Sequence, residues 1–201
     1  MAFTNVFAQD ATKEAMEAMD RGADYFESGN LVEAIAGFNK VIELTTNCAP
    51  AYYNRGLVYL SKGDYNKAIS EFSKAIGLNP YYAIAYRSRG QAHNMVGNHD
   101  QAISDFNKAI QLRPDDALAY YILGSAYFSK RDYNQARSEF NKAIKLDPNY
   151  GAAYYARAGT YYFLGKYNEA WEDIQKSESL GETINPKFLA ALKNKLSGRE
   201  K

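Results

Sequence analysis

Apolar residues along this chain follow a helical spacing that recurs at a fixed interval. From Tyr52 they return at steps of three and four residues, and a second run that begins at Ala68 does the same. This spacing predicts two amphipathic helices separated by a short turn. Pro80 then ends the second helix, because proline cannot extend one. Residues 49–82 therefore predict a helical hairpin.

The same hairpin pattern occurs five times with a period of 34 residues. Residues 49–82 and 117–150 are identical at 21 of 34 positions. A small residue recurs in the first helix of each unit, at Gly22, Gly56, Gly90, Gly124 and Ala158. A fixed period of this length is the signature of an array of identical supersecondary units. The predicted repeats are 15–48, 49–82, 83–116, 117–150 and 151–184.

The second helix of each unit adds an alanine column, a phenylalanine column and, in the middle repeats, a closing proline. Together with the glycine column, this pattern resembles the tetratricopeptide repeat (TPR) family over residues 15–184. The resemblance implies an all-α, right-handed α-solenoid of five helix-turn-helix repeats whose first helices line a concave surface. Residues 185–201 are predicted to form a capping helix, since Phe188, Leu189 and Leu192 form an apolar stripe that would cover the last repeat.

Residues 1–14 precede the repeats. Phe3, Val6 and Phe7 form an apolar cluster with no periodic continuation, and the small residue Ala8 follows them as at the cleavage end of a secretory signal. The basic start and long apolar core of such a signal are missing from this segment. Two interpretations stay open: a loosely docked segment of a cytoplasmic protein, or the remnant of an export signal on an extracytoplasmic one.

Composition and charge argue against several classes of function. The 24 basic and 23 acidic residues give a net charge of +1, which provides no general attraction to nucleic acid or an anionic membrane. The single cysteine, Cys48, cannot form an internal disulfide. His93 occupies a tyrosine column, and with His99 it lacks further metal ligands beyond Asp100. No phosphate-binding loop or nucleophile motif is present, so we expect no enzyme, cofactor, metal site or membrane insertion.

Binding residues are expected in columns that face the concave surface but differ between repeats. Tyrosines there would supply rigid contact area, and arginine or amide groups would bind a peptide backbone or carboxylate. The alternative is that some of these tyrosines only pack between neighbouring repeats. The predicted peptide-binding residues are Met19, Phe26, Tyr53, Asn54, Leu57, Arg87, Gln91, Asn94, Tyr121, Ser125, Phe128, Tyr155 and Tyr162.

The resemblance implies a non-enzymatic scaffold or adaptor that binds a peptide segment of another protein in a tyrosine-rich groove. An alternative is a structural protein that assembles with itself through its terminal segments. A third interpretation, an RNA-binding helical repeat, is disfavoured by the near-neutral charge. We therefore expect a protein partner and no nucleic acid.

One known TPR activity can be tested on the sequence. TPR domains that hold the C-terminal carboxylate of heat-shock chaperones use basic and asparagine side chains at set positions. The best register starts at Arg87 and Gln91, but Ile122 then replaces an asparagine, and Ala152 and Ala156 replace basic residues. We predict weak or no binding of an acidic chaperone tail in a fluorescence titration. Micromolar binding that weakens with added salt would contradict this prediction.

Overall fold

The computed structural model describes residues 2–45 and 47–198, with side chains from residue 12 onward. Within these ranges the chain forms eleven α-helices and no strand. It divides into two compact units, Met1–Leu112 and Arg113–Lys201. The predicted all-α class of helical hairpins is confirmed.

The first unit contains three helical hairpins. Its helices are α1 (Ala2–Glu27), α2 (Leu31–Leu44), α3 (Ala49–Ser61), α4 (Tyr65–Leu78), α5 (Ala83–Met95) and α6 (His99–Leu112). Helix α1 begins well before the first predicted repeat, so the backbone of residues 2–14 continues its first helix. The side chains of Phe3, Val6, Phe7 and Ala8 lie outside the described residues, and the export signal stays a prediction.

The second unit contains two hairpins and a final helix. Its helices are α7 (Ala117–Ser129), α8 (Tyr133–Leu146), α9 (Gly151–Phe163), α10 (Tyr167–Ser179) and α11 (Pro186–Leu196). Asn185 caps α11 by accepting a hydrogen bond from the backbone N–H of Lys187. Leu192 of α11 is fully buried in a core cluster with Ala158, Ala170, Ile174 and Ile184. Helix α11 therefore covers the apolar surface of the last hairpin.

The helices of a hairpin approach closely where a glycine meets a buried phenylalanine ring. In the third hairpin, a Cβ atom added to Gly90 would lie 2.6 Å from Cε1 of Phe106, whose side chain is fully buried. The rings of Phe38, Phe72 and Phe140 occupy the same place against Gly22, Gly56 and Gly124. The last hairpin uses Ala158 and Ile174 in these columns, and both are fully buried. The small and large columns are thus complementary surfaces.

An arginine column ties neighbouring helices together within each unit. The guanidinium of Arg89 in α5 donates to Asp105 of α6 at 2.8 and 2.7 Å and to the Ser73 hydroxyl of α4 at 3.0 Å. The hydrogen bonds to Asp105 raise the pKa of Arg89. Arg55 makes the same bridge to Glu71 and Asn39, and Arg157 makes it to Asp173 and Asn141. Each bridge joins one hairpin to the one before it.

We predict that Gly90→Leu lowers the free energy of unfolding by about 1 to 3 kcal/mol, because its side chain would overlap the buried Phe106 ring. Gly77→Leu is the matched control, since Gly77 lies in α4 with no atom within 4 Å of an added Cβ. Urea denaturation measures the free energy of unfolding of both variants and the wild type. Equal stability of the Gly90→Leu variant and the wild type would contradict this packing.

The arginine bridge gives a second prediction. We expect Arg89→Leu to cost about 2 to 3 kcal/mol of stability, because Asp105, whose side chain is only 8% exposed, would lose its cation. Arg55→Leu should cost less, about 1 kcal/mol, because Lys74 still pairs with Glu71 at 2.8 Å. Thermal and urea unfolding of the two variants shows which substitution lowers the stability more. A cost for Arg55→Leu equal to or above that of Arg89→Leu would contradict the compensation by Lys74, and unchanged stability of both variants would show that the bridge adds little.

Candidate aromatic groove

An open cavity in the second unit is lined mainly by aromatic side chains. Its volume is about 630 Å³. Helices α7 and α9 supply nine of its twelve lining residues, and Phe140 of α8, Glu182 of the turn before α11 and Phe188 of α11 supply the others. We call it the aromatic groove, and it is lined by Tyr121, Ser125, Phe128, Ser129, Phe140, Ala152, Tyr155, Ala156, Gly159, Phe163, Glu182 and Phe188.

The groove exists because large residues on α7 face small residues on α9. The Tyr121 ring is held by Phe140 and Tyr150, with centroids 5.9 and 5.1 Å away. Opposite α7, Ala152, Ala156 and Gly159 leave the space empty. A Cβ atom added to Gly159 would meet only the Phe128 ring, at 3.9 Å. A Cβ atom at residue 159 would therefore fit at the groove without a clash.

Phe163 forms an exposed aromatic rim on the groove. Its ring stacks on Tyr133 with centroids 5.0 Å apart and an angle of 5° between the planes. It also contacts the Phe128 ring edge to face at 5.5 Å. Although three aromatic neighbours hold it in place, 56% of Phe163 is exposed. The groove thus presents an ordered apolar surface to solvent.

The polar chemistry of the groove is sparse. The hydroxyls of Ser125 and Ser129 donate to backbone carbonyls of their own helix, at 2.9 and 3.0 Å. The Tyr155 hydroxyl accepts a hydrogen bond from the backbone N–H of Asn185 at 3.3 Å. Glu182 is exposed, and it is the one charged residue among the described residues that line the groove. A ligand would therefore meet aromatic surface and a single carboxylate.

Four of the predicted binding residues meet in this groove: Tyr121, Ser125, Phe128 and Tyr155. Tyr162 lies beside it, with its ring 5.5 Å from Phe188 and 5.7 Å from Phe163. Tyr162 therefore packs against two residues that line the groove but is not itself part of the lining. Their role in binding stays a prediction.

In the first unit, several predicted binding residues take part in packing. The Tyr53 ring contacts Phe72 and Tyr82 at 5.7 and 5.2 Å, and burial raises the pKa of Tyr82. Leu57 and Leu60 pack on the same cluster as Phe72. Tyr53 packs on neighbouring rings as Tyr121 does in the second unit, and its role in binding stays a prediction.

The remaining predicted residues of this unit also have neighbours. Phe26 packs beside Ala34 and Phe38, and Met19 packs beside Phe38 and Val41. The Asn54 amide donates to the Met19 sulfur at 3.4 Å. Asn94 Oδ1 lies 2.7 Å from His99 Nδ1, Arg87 is half-buried, and Gln91 is exposed.

The histidines and the cysteine take structural positions. His93 is half-buried, and burial lowers its pKa, so its ring is neutral at pH 7. Cys48 precedes α3 and packs beside Val41 and Ala51. The described part of the chain holds no group of three or more metal-ligand residues. None of its helices is both long and apolar enough to cross a bilayer.

Family comparisons agree with the hairpin architecture. Models described as tetratricopeptide repeat match residues 49–82, 88–151 and 139–172, and a model described as TPR repeat matches residues 22–63. The chain belongs to the tetratricopeptide repeat family. No curated protein sequence is significantly similar to it.

Solved structures of other TPR proteins share the fold. A crystal structure of MamA is 26% identical with a TM-score of 0.75, and the match covers 87% of this chain and 100% of that one. YrrB, described as a TPR protein with an unusual peptide-binding site, is 24% identical with a TM-score of 0.70, covering 90% and 93%. PilF of Pseudomonas aeruginosa is 19% identical with a TM-score of 0.79, covering 87% and 80%. TPR proteins are protein-interaction scaffolds, and this chain has that architecture.

Eight of the twelve residues that line the aromatic groove are not among the predicted binding residues: Ser129, Phe140, Ala152, Ala156, Gly159, Phe163, Glu182 and Phe188. Phe163 stands at the repeat position that Ser61 and Ser129 occupy in earlier repeats. An aromatic residue at this position could have indicated a residue of the groove. Phe188 was assigned only to the capping stripe, although it also lines the groove. Glu182 occupies the proline column, and only the turn before α11 brings it to the groove.

The charge of the groove is opposite to that of a carboxylate clamp. Ala152 and Ala156, which stand where the clamp would need basic residues, both line the groove. Glu182 adds a negative charge at the same cavity. An acidic peptide tail would therefore meet repulsion in this groove.

Proposed function

We propose that this TPR protein is a non-enzymatic scaffold that binds an apolar segment of a partner protein in the aromatic groove. The observation that carries the proposal is the cavity of about 630 Å³ between α7, α9 and α11. Ligand sites in proteins are typically concave, of this size, and lined by apolar and aromatic side chains with few polar groups. The groove has that composition.

The packing around the groove favours binding because its aromatic residues are held in place before a ligand arrives. Tyr121 is fixed by Phe140 and Tyr150, and Phe163 is fixed by Tyr133 and Phe128. Side chains that are already ordered lose little conformational entropy on binding. A ligand that covers Phe163 would also remove an exposed apolar ring from water.

Two other interpretations receive less support. One is self-assembly through the terminal segments. In α11, Leu192 of the apolar stripe is fully buried within its own unit, so it is not available to contact a second copy of the chain. The charge in the groove is the carboxylate of Glu182, which would repel the phosphates of RNA. A segment of another protein fits the groove better than either.

Filling the groove tests the proposal directly. Gly159→Leu would place a side chain in the cavity without removing an existing contact, while Gly77→Leu adds the same side chain on α4 of the other unit. We expect peptides selected from a phage-displayed library on the wild type to bind Gly159→Leu at least about tenfold more weakly. The Gly77→Leu protein should bind them normally in isothermal titration.

Equal affinity of the selected peptides for Gly159→Leu and the wild type would contradict the proposal, provided that the two proteins have matching helicity and melting temperature. Binding would then use another surface of the chain. Loss of binding in both glycine variants would also count against the groove, because Gly77 lies outside it.

A further inference from the structure

Glu182 is placed at the aromatic groove by two departures from the repeat pattern. The three preceding repeats have a proline at this column, at Pro80, Pro114 and Pro148. They also begin with alanine at Ala49, Ala83 and Ala117, where the last repeat has Gly151. A Cβ atom added to Gly151 would lie 2.6 Å from Cγ of Glu182. The glycine therefore makes room for the glutamate side chain.

The Glu182 carboxylate has no structural partner among the described residues. No cation there lies within ion-pair distance of it, and it accepts no side-chain or backbone hydrogen bond. Glu182 lies near the N-terminus of α9, but within the described part of the chain no hydrogen bond joins its carboxylate to a backbone N–H of that helix, and the side chain of the N-cap residue Tyr150 does not cap the helix either. A general attraction to the N-terminus of α9 remains, but it leaves the carboxylate oxygens available.

We propose that Glu182 makes the aromatic groove selective for a protein segment that carries lysine or arginine next to an apolar or aromatic side chain. This inference rests on the proposed function of the groove and names the chemistry of its ligand. The apolar side chain enters beside Ala156 and Gly159, and the cation pairs with Glu182, which lines the groove together with Phe188 of α11. Charge complementarity across a binding site favours the matching partner and opposes acidic ones.

The surroundings of Glu182 suit a long basic side chain. The rings of Tyr155 and Phe188 line the groove with it and contact each other edge to face at 5.9 Å. Lysine and arginine pack their aliphatic stems on apolar surface and place their charge over aromatic rings. This unit already uses that arrangement, since Lys193 lies 5.6 Å from the centre of the Trp171 ring.

The size of the selectivity follows from the exposure of the carboxylate. Ion pairs at exposed sites are weak, and partial burial by a ligand strengthens them. We therefore expect a basic residue to improve binding by about threefold to tenfold over a neutral one of similar length. Added salt should reduce this preference, because the pair stays close to solvent.

A library of synthetic nonapeptides tests the inference on the full chain. Each peptide has a fixed central Phe-Leu pair and randomised flanking positions, and the pool retained on immobilised protein is sequenced by mass spectrometry. Wild type and Glu178→Gln should enrich lysine and arginine at flanking positions, since Glu178 is an exposed carboxylate of α10 outside the groove. Glu182→Gln should lose this enrichment, and Glu182→Lys should enrich aspartate and glutamate.

The outcomes separate this inference from the proposed function. Suppose that Gly159→Leu no longer retains the peptides that bind the wild type. If those peptides show no basic enrichment, or if Glu182→Gln keeps the enrichment, the role of Glu182 is overturned and the groove is left as the binding site. A pool that Gly159→Leu retains unchanged, or no retained pool on the wild type, overturns the groove and the role of Glu182 together.

Discussion

The contact of a buried phenylalanine ring with a glycine backbone sets the geometry of most hairpins. An added Cβ at Gly56 or Gly90 would lie 2.6 Å from the ring, so no larger residue fits without moving the helices apart. The close approach lets the arginine bridge span from one hairpin to the one before it. In the second unit, the same packing places the Phe140 ring 5.9 Å from the Tyr121 ring, in the lining of the groove. The hairpins and the lining of the proposed binding groove both depend on this contact.

The fold was predictable from the sequence because the same apolar spacing and the same turn positions recur in every repeat. The helix ends followed from glycines such as Gly63, which adopts a positive φ of 77°, and even Arg131 takes φ 62° at the equivalent turn. The capping helix followed from its apolar stripe. The length of α1 did not, because the sequence before residue 15 carries no repeat column to mark a helix.

The groove was predictable only in part. Column comparison found Tyr121, Phe128 and Tyr155, since these vary between repeats on the first helices. It selected Tyr53 on the same ground, and the role of Tyr53 in binding stays a prediction, because Tyr82 packs on its ring as Tyr150 packs on that of Tyr121. Glu182 and Phe188 follow the last hairpin, where the period ends. Their place at the cavity depends on the path of the turn into α11.

Gly151 and Glu182 mark a junction where the usual proline of the repeat is replaced by an ionisable residue. Where another hairpin follows within the unit, the residue that ends a repeat is a proline, Pro148, which fixes the backbone entering the next helix. Where α11 follows instead, that residue is free to be ionisable. If Glu182 pairs with a ligand as proposed, the ligand preference of this chain is set at one junction, by two side chains that lie outside the glycine–phenylalanine contacts.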